Sequence, residues 1–236
     1  EKDCNDAKFR QDSLAQRIAT IRSMEEHFEG YSGAVRYVMK QYDEGKITDT
    51  HGAPCGKIYG PLSKVISVED RYVTAIEIAL GANLQNIVVE NEAAAKAAIA
   101  LLRNDNGGRA TFLPLDTVQP GVFRGRLSGT ARLASSLVQA DRRYDNIVSN
   151  LLGRIIVVDD INEASRVARD NGFRSKVVTM DGQVVNAGGS FTGGSVQRSA
   201  GLFTRKQEME ELRVKAAKLQ KDCLAAQEKT DQCKEQ

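Results

Sequence analysis

Apolar residues recur at alternating steps of three and four along both ends of the chain, and in short unbroken runs through its middle. At the N-terminal end the seam is Cys4, Ala7, Gln11, Leu14, Ile18, Ile21, Glu25 and Phe28, a heptad pattern with polar breaks at Gln11 and Glu25. At the C-terminal end it is Met209, Leu212, Ala216, Leu219, Cys223, Ala226, Thr230 and Cys233. The remaining positions are rich in Lys, Glu, Gln and Asp, which suits a thin stripe facing one partner helix better than the broad face of a core helix. A chain that leaves a compact middle and returns to it pairs its ends most simply with each other, antiparallel, as arms ~45 Å long over about thirty residues. That pairing places Cys4 near Cys233 at the far tip, with no disulfide implied.

The middle reads as alternating helices and strands. Val35, Val38, Met39 and Tyr42 predict a helix over 34–42 that stops at Gly45. A short strand, 57–59, lies among the breakers Gly52, Pro54, Gly56, Gly60 and Pro61. Then come a helix through Tyr72, Ala75, Ile76, Ile78, Ala79 and Leu80, a break at Gly81, and a strand over 86–89. Asn91 is a suitable N-cap for a helix over 92–103, closed by Asn106, Gly107 and Gly108 and followed by a strand over 110–113.

The second half repeats this grammar. Leu151-Leu152-Gly153 echoes Ala79-Leu80-Gly81, the strand 155–158 echoes 86–89, Asn162-Glu163-Ala164 echoes Asn91-Glu92-Ala93, and Arg174 precedes the strand 176–179 much as Arg109 precedes 110–113. Asp181-Gly182 signals a type I′ hairpin leading to Val184 and Val185. Between the halves, Leu133, Leu137, Val138 and Tyr144 suggest a helix-rich connection over 120–144. The expected fold is α/β (mixed α+β): two pseudo-symmetric α/β halves, 30–119 and 120–200, flanked by helical segments 1–29 and 201–236 paired as an antiparallel coiled coil.

Composition narrows the function classes. A length of 236 residues allows one large domain or two small ones, and a formal net charge of +2 excludes a polycation, so any nucleic-acid contact needs a local patch. The four cysteines, Cys4, Cys55, Cys223 and Cys233, form no C-x-x-C pair, and only His51 lies close to one of them. This argues against a zinc site or a secreted disulfide framework and points to a reducing, cytoplasmic compartment. No run approaches the ~18 to 20 apolar residues of a membrane span. The first residue is Glu1 and not methionine, which suggests a piece of something longer.

The densest glycine run is Gly188-Gly189-Ser190-Phe191-Thr192-Gly193-Gly194-Ser195. Four glycines in seven positions imply left-handed backbone or a close neighbour, which could be a phosphate, another segment or another chain. No G-x-x-x-x-G-K-[ST] or G-x-G-x-x-G pattern accompanies the run. Ser190 and Ser195 lack a base in sequence apart from His51, and the pair Asp159-Asp160 is more often a helix cap than catalytic. We therefore expect no catalytic residue, no metal and no cofactor, while an anion-binding α/β domain using the glycine loop remains an alternative. From Gly121 to Lys206 there are thirteen Lys or Arg against seven Asp or Glu. Arg142, Arg143, Arg174, Lys176, Arg198, Arg205 and Lys206 are the candidates for phosphate contacts of low sequence specificity, and Arg124, Arg126 and Arg132 fit more loosely.

Together these features resemble the hinge domain of the structural maintenance of chromosomes (SMC) proteins, bacterial type. The residues that carry the resemblance are Val68 to Tyr72, Ala79-Leu80-Gly81, Leu84 to Glu90, Gly108 to Leu115, Leu151 to Asp160, and Asp181 through the glycine run. The resemblance implies a dimerisation module in which two hinges join through edge strands, with Gly188 to Ser195 at or near the contact, as a homodimer or with a different SMC partner. It also implies DNA binding of low specificity, a nucleoid location, and a parent ATPase whose absent heads meet kleisin-type and accessory subunits.

Overall fold

The structure, a computed structural model, describes residues 2–48, 52–195, 201–203, 208 and 211–219, and of residues 2–11 the backbone alone. The chain divides into two compact units, one of Gly30–Phe203 and the other of Glu1–Glu29 with Thr204–Gln236.

In the latter unit helix α1 covers Lys2–Glu26. Ile21 is buried, and Leu14, Ile18, Glu25 and Phe28, all on the expected seam, are half-buried. Residues 211–219 are also helical, and Leu212, Ala216 and Leu219 are their half-buried positions. The spacing of three and four thus selects the covered face on both stretches. Arg17 bonds Glu208 between them at 2.7 Å. An exposed ion pair contributes only about 0–1 kcal/mol, so the apolar seams carry this pairing. The expected approach of Cys4 to Cys233 lies outside the described residues.

The other unit runs α2 (Gly33–Asp43), β1 (Ile58–Pro61), α3 (Leu62–Val65), β2 (Ile66–Val68), α4 (Val73–Leu80), β3 (Ile87–Val89), α5 (Glu92–Asn104) and β4 (Phe112–Pro114). It continues with β5 (Arg132–Leu133), β6 (Val138–Ala140), α6 (Asp145–Leu152), β7 (Ile155–Val158), α7 (Ile161–Asp170), β8 (Lys176–Thr179), β9 (Val184–Val185) and β10 (Phe191–Thr192). Side-chain caps fix several helix starts: Ser32 Oγ accepts from Val35 N–H, Asn91 from Ala94 N–H, and Asp160 from Asn162 and Glu163 N–H. Asp160 is therefore a cap, as its position suggests.

Three sheets form: β1-β3-β4, β10-β9-β8-β7-β5, and the pair β2-β6. In each half an antiparallel strand (β1 or β5) flanks two parallel strands joined by a helix. The pair β2-β6 links the halves. Ser67 faces Gln139, its own counterpart in the repeat, with Ile66 opposite Ala140 and Val68 opposite Val138. An antiparallel ladder that pairs a residue with its equivalent marks a pseudo-two-fold axis at that point.

Strand alternation divides the core. Ile156, Val158, Val177 and Val185 face Ala164, Val167 and Ala168 of α7. The intervening Val157, Val178 and Val184 turn the other way and join Val88 and Leu113 of the first sheet, with Ile76 of α4 and Ile147 of α6, in one cluster shared by both halves. Tyr72 and Tyr144, equivalent residues, are each held by the opposite half. Arg132 donates to Tyr72 OH at 2.7 Å, and the Tyr59 ring meets Tyr144 edge-on at 5.7 Å. Helix α4 is gripped near its C-terminal end: Glu77 accepts from Phe203 N–H at 2.8 Å, and Lys176 Nζ donates to the carbonyls of Ile78 and Ala79 at 3.1 Å.

Two expectations need correction. The connection over 120–144 is not helix-rich: 115–131 holds no helix or strand, and beyond it come β5, a 3₁₀ turn at Ala134–Leu137, and β6. The spacing of Leu133, Leu137 and Val138 imitates a helix because this stretch is the counterpart of β1, α3 and β2 and feeds the shared core at the same intervals. The hairpin at Asp181-Gly182 is not type I′. Thr179 N–H bonds Gln183 O, Gly182 N–H bonds Thr179 O, and Gly182 has φ 90°, a three-residue loop closed by a left-handed glycine.

Two measurements follow from this packing. Ile147→Ala removes a fully buried side chain from the shared cluster and should cost about 2–5 kcal/mol, with both halves unfolding in one transition in urea. Two transitions would show that the halves fold independently. Burial holds the Lys176 ammonium below the usual lysine range. Its folded pKa lies below its unfolded one, so the unfolded chain binds more protons between the two, and this group's contribution to stability improves as pH rises through that window. Nitrogen-detected NMR titration should find Lys176 deprotonating before the exposed lysines.

Candidate interface at the β9–β10 hairpin

The glycine run forms the second turn and the last strand of the five-stranded sheet. Asn186 N–H donates to Ser190 O at 2.8 Å, and Asn186 Nδ2 reaches Ser190 Oγ at 3.2 Å and Thr192 Oγ1 at 3.0 Å. Gly188 and Gly189 both adopt left-handed backbone, φ 89° and 90°. Gly188 N–H donates to Phe173 O at 2.9 Å, and a Cβ on Gly189 would stand 3.5 Å from the Phe173 ring. Phe173 is itself left-handed, φ 53°. The first neighbour of this bare backbone is therefore the α7–β8 loop of the same chain. Gln183 clasps the end of the run, its Oε1 accepting from Gly194 N–H at 2.9 Å and its Nε2 donating to Gly194 O at 3.2 Å.

One side of β10 is used and the other is open. The pairings Phe191 with Val185 and Thr192 with Val184, together with the Asn186–Ser190 bond, turn the Thr192 peptide groups toward β9. The N–H and C=O of Phe191 and Gly193 then face outward. Residues Phe191 to Ser195 are all exposed, Phe191 at 58%. The three-stranded sheet also ends in an edge, β4. Thr111 O and Leu115 N–H bond β3, so Phe112 and the Pro114 carbonyl face away from it. A bare edge is a template for another strand, and folded proteins cover or interrupt such edges.

Among the described residues the basic candidates are placed differently. Arg142 and Arg143 sit on the 3₁₀ turn before α6, where Arg143 grips Asp141 and lies within 5.9 Å of the Tyr59 and Tyr144 rings. The Arg143 hydrogen bonds hold the exposed Asp141 carboxyl below its usual range. Arg174 is exposed beside a cleft, whereas Lys176 spends its ammonium on α4 and does not reach outward. Arg132 is committed to Tyr72, and Arg124 and Arg126 line the same cleft as Arg174. Arg198, Arg205 and Lys206 lie outside the described residues, as does His51. Sequence reasoning missed Arg154, which also lines that cleft; the signal for it was its place immediately before the parallel strand β7, much as Arg174 stands two residues before β8. Among the described residues no group of three or more His, Cys, Asp or Glu could hold a metal ion, and no helix is long and apolar enough to cross a membrane.

Residues 56–168 match the family model described as SMC proteins Flexible Hinge Domain. Chromosome partition protein Smc of Desulfitobacterium hafniense is 39% identical over 84% of this chain, and that of Bacillus subtilis 36% identical over 88%. The chain spans 16% and 18% of the length of these two relatives. The crystal structure of an asymmetric dimer of the Geobacillus stearothermophilus SMC hinge domain superposes with a TM-score of 0.81 at 32% identity, covering 95% of this chain and 89% of that one. Since it shares both its fold and its sequence pattern with these hinges over most of its length, the chain belongs to the SMC hinge family, a non-catalytic module.

Proposed function

We propose that the chain joins a second copy of itself through its two open sheet edges, β10 of one copy meeting β4 of the other, and so forms the hinge of a chromosome partition ATPase. The observation that carries this reading is the pair of edges. The two larger sheets end in β4 and β10, whose outer edges pair with no strand among the described residues, and two copies related by a two-fold axis could cover all four with two identical contacts. The glycines keep β10 free of side-chain bulk beyond Phe191 and Thr192, and Phe191 presents an exposed ring to the incoming strand. The dimer of the Geobacillus hinge supports self-association.

In this reading ATP binding and kleisin-type or accessory partners belong to heads outside this chain, and the whole protein works in the cytoplasm on the nucleoid. The basic excess after Gly121 supports DNA binding of low sequence specificity. Arg142, Arg143 and Arg174 contribute from the described surface, and Arg198, Arg205 and Lys206 from the sequence beside the C-terminal segment.

Phe191→Glu puts a charge on the edge without touching a left-handed glycine. It should weaken the dimer at least tenfold in sedimentation equilibrium while circular dichroism is unchanged; a wild-type chain that stays monomeric at micromolar concentration defeats the proposal. Gly189→Glu is a poorer probe, since φ 90° makes it strain the turn itself. For DNA, the logarithm of affinity should fall linearly with the logarithm of salt concentration, and Arg205→Glu with Lys206→Glu should flatten that slope by about 2. Salt-independent binding would exclude phosphate contacts.

A further inference from the structure

We propose that the cleft between residues 120–126 and the C-terminal end of α7 is a site for closely spaced phosphate groups. It has a volume of about 740 Å³ and is bordered by Arg124, Arg126, Arg154 and Arg174, all exposed, with Asp170 as the acidic residue among its walls. The site stands on geometry of its own and does not depend on the nucleic-acid reading above.

Three observations support it. First, among the described residues the four guanidinium groups make no ion pair or side-chain hydrogen bond; other exposed arginines, such as Arg36 and Arg103, are also unpaired, but these four border one concavity. Four like charges around one concavity repel each other, and a multivalent anion relieves that repulsion while taking several planar donor forks at once. Second, the segment carrying two of them is fixed in place. Asn171 accepts from Arg126 N–H at 2.8 Å and donates to Arg126 O at 3.0 Å, Ser149 Oγ donates to Gly121 O at 2.9 Å, and Asn150 Nδ2 donates to Gln119 O at 2.7 Å. Arg154 and Arg174 stand at the starts of the parallel strands β7 and β8. Third, the fold does not require this charge. The equivalent cavity of the first half, about 380 Å³, is lined by Ser32 and Val35 from the start of α2 and holds a single arginine, Arg109, the counterpart of Arg174. The second half has no helix there and places an arginine-bearing loop instead.

Phosphates could arrive on a nucleic-acid backbone or on a free oligophosphate, and inorganic tripolyphosphate probes the chemistry common to both. Calorimetry on the 236-residue chain at low salt should show binding that weakens at least tenfold in Arg124→Glu with Arg154→Glu. The Lys pair at the same positions should keep affinity within a few-fold, and Arg103→Glu, on α5, should leave it unchanged. Dimer mass should be the same in all variants. Displacement of a bound DNA duplex of about 20 base pairs by tripolyphosphate assigns the site to the backbone; binding of tripolyphosphate without displacement assigns it to free oligophosphates. If the wild type does not bind tripolyphosphate, or the double charge reversal binds it within twofold of wild type, the site is overturned, and duplex binding that persists in that variant leaves the nucleic-acid reading intact.

Discussion

The antiparallel contact of β2 with β6 organises the rest of the hinge. Because Ser67 pairs with its own counterpart Gln139, the axis through that pair relates the elements the two halves share, such as β3-α5-β4 and β7-α7-β8. Short strands of this kind contribute few hydrogen bonds. What holds the axis in place is the cluster beneath it, where Ile76 and Ile147 bring α4 and α6 together and both sheets add one alternate face. The exchanged tyrosine contacts, Arg132 on Tyr72 and Tyr59 on Tyr144, add one polar and one aromatic link between the halves.

The strand order also bears on the proposed assembly. In the two larger sheets β1 and β5 stand at one end, each followed in the chain by a short helical turn and by β2 or β6, and β4 and β10 stand at the other end. The strands β3, β7 and β8 are buried on both faces, whereas the outer backbone edges of β4 and β10 have no strand partner among the described residues. In the proposed dimer, the short β10 would offer its outer backbone groups, together with the exposed Phe191 ring, to a matching copy.

Much of this was legible in the sequence. The seam positions Leu14, Ile18, Ile21, Leu212, Ala216 and Leu219 are the covered ones, and the repeated order of strand, capped helix and strand corresponds to β3-α5-β4 and β7-α7-β8. Periodicity reads such elements because each presents one face to one neighbour. It failed where an element is too short to show a period: α3, β2, β5 and β6 hold two to four residues each and are defined by long-range pairing. The glycine run was located correctly as a special backbone, but its cause was divided in a way no linear pattern reveals. Gly188 and Gly189 serve Phe173 and the turn, Gly194 serves Gln183, and an outside visitor needs only the edge beyond them. The basic residues were the least legible, since composition cannot distinguish Lys176, turned onto helix carbonyls, from Arg174, turned to solvent.

Departures from the symmetry are more informative than the symmetry. Whatever both halves share is explained by the scaffold: the capped helices, the parallel strands, the paired tyrosines. Three features occur once. Helix α2 closes the lower end of the first half, where Ser32 N–H also bonds Gln85 Oε1 at 2.7 Å. The hairpin of β9 and β10 extends the second sheet by two strands with no counterpart beyond β4. The segment 120–126 places arginines where α2 would stand. Each lies at a sheet edge or strand end, although Val184 of β9 also reaches the shared core. A fold that needed only to be stable would have had no reason to make its halves differ at those places, so it is there that contacts with other molecules have to be sought.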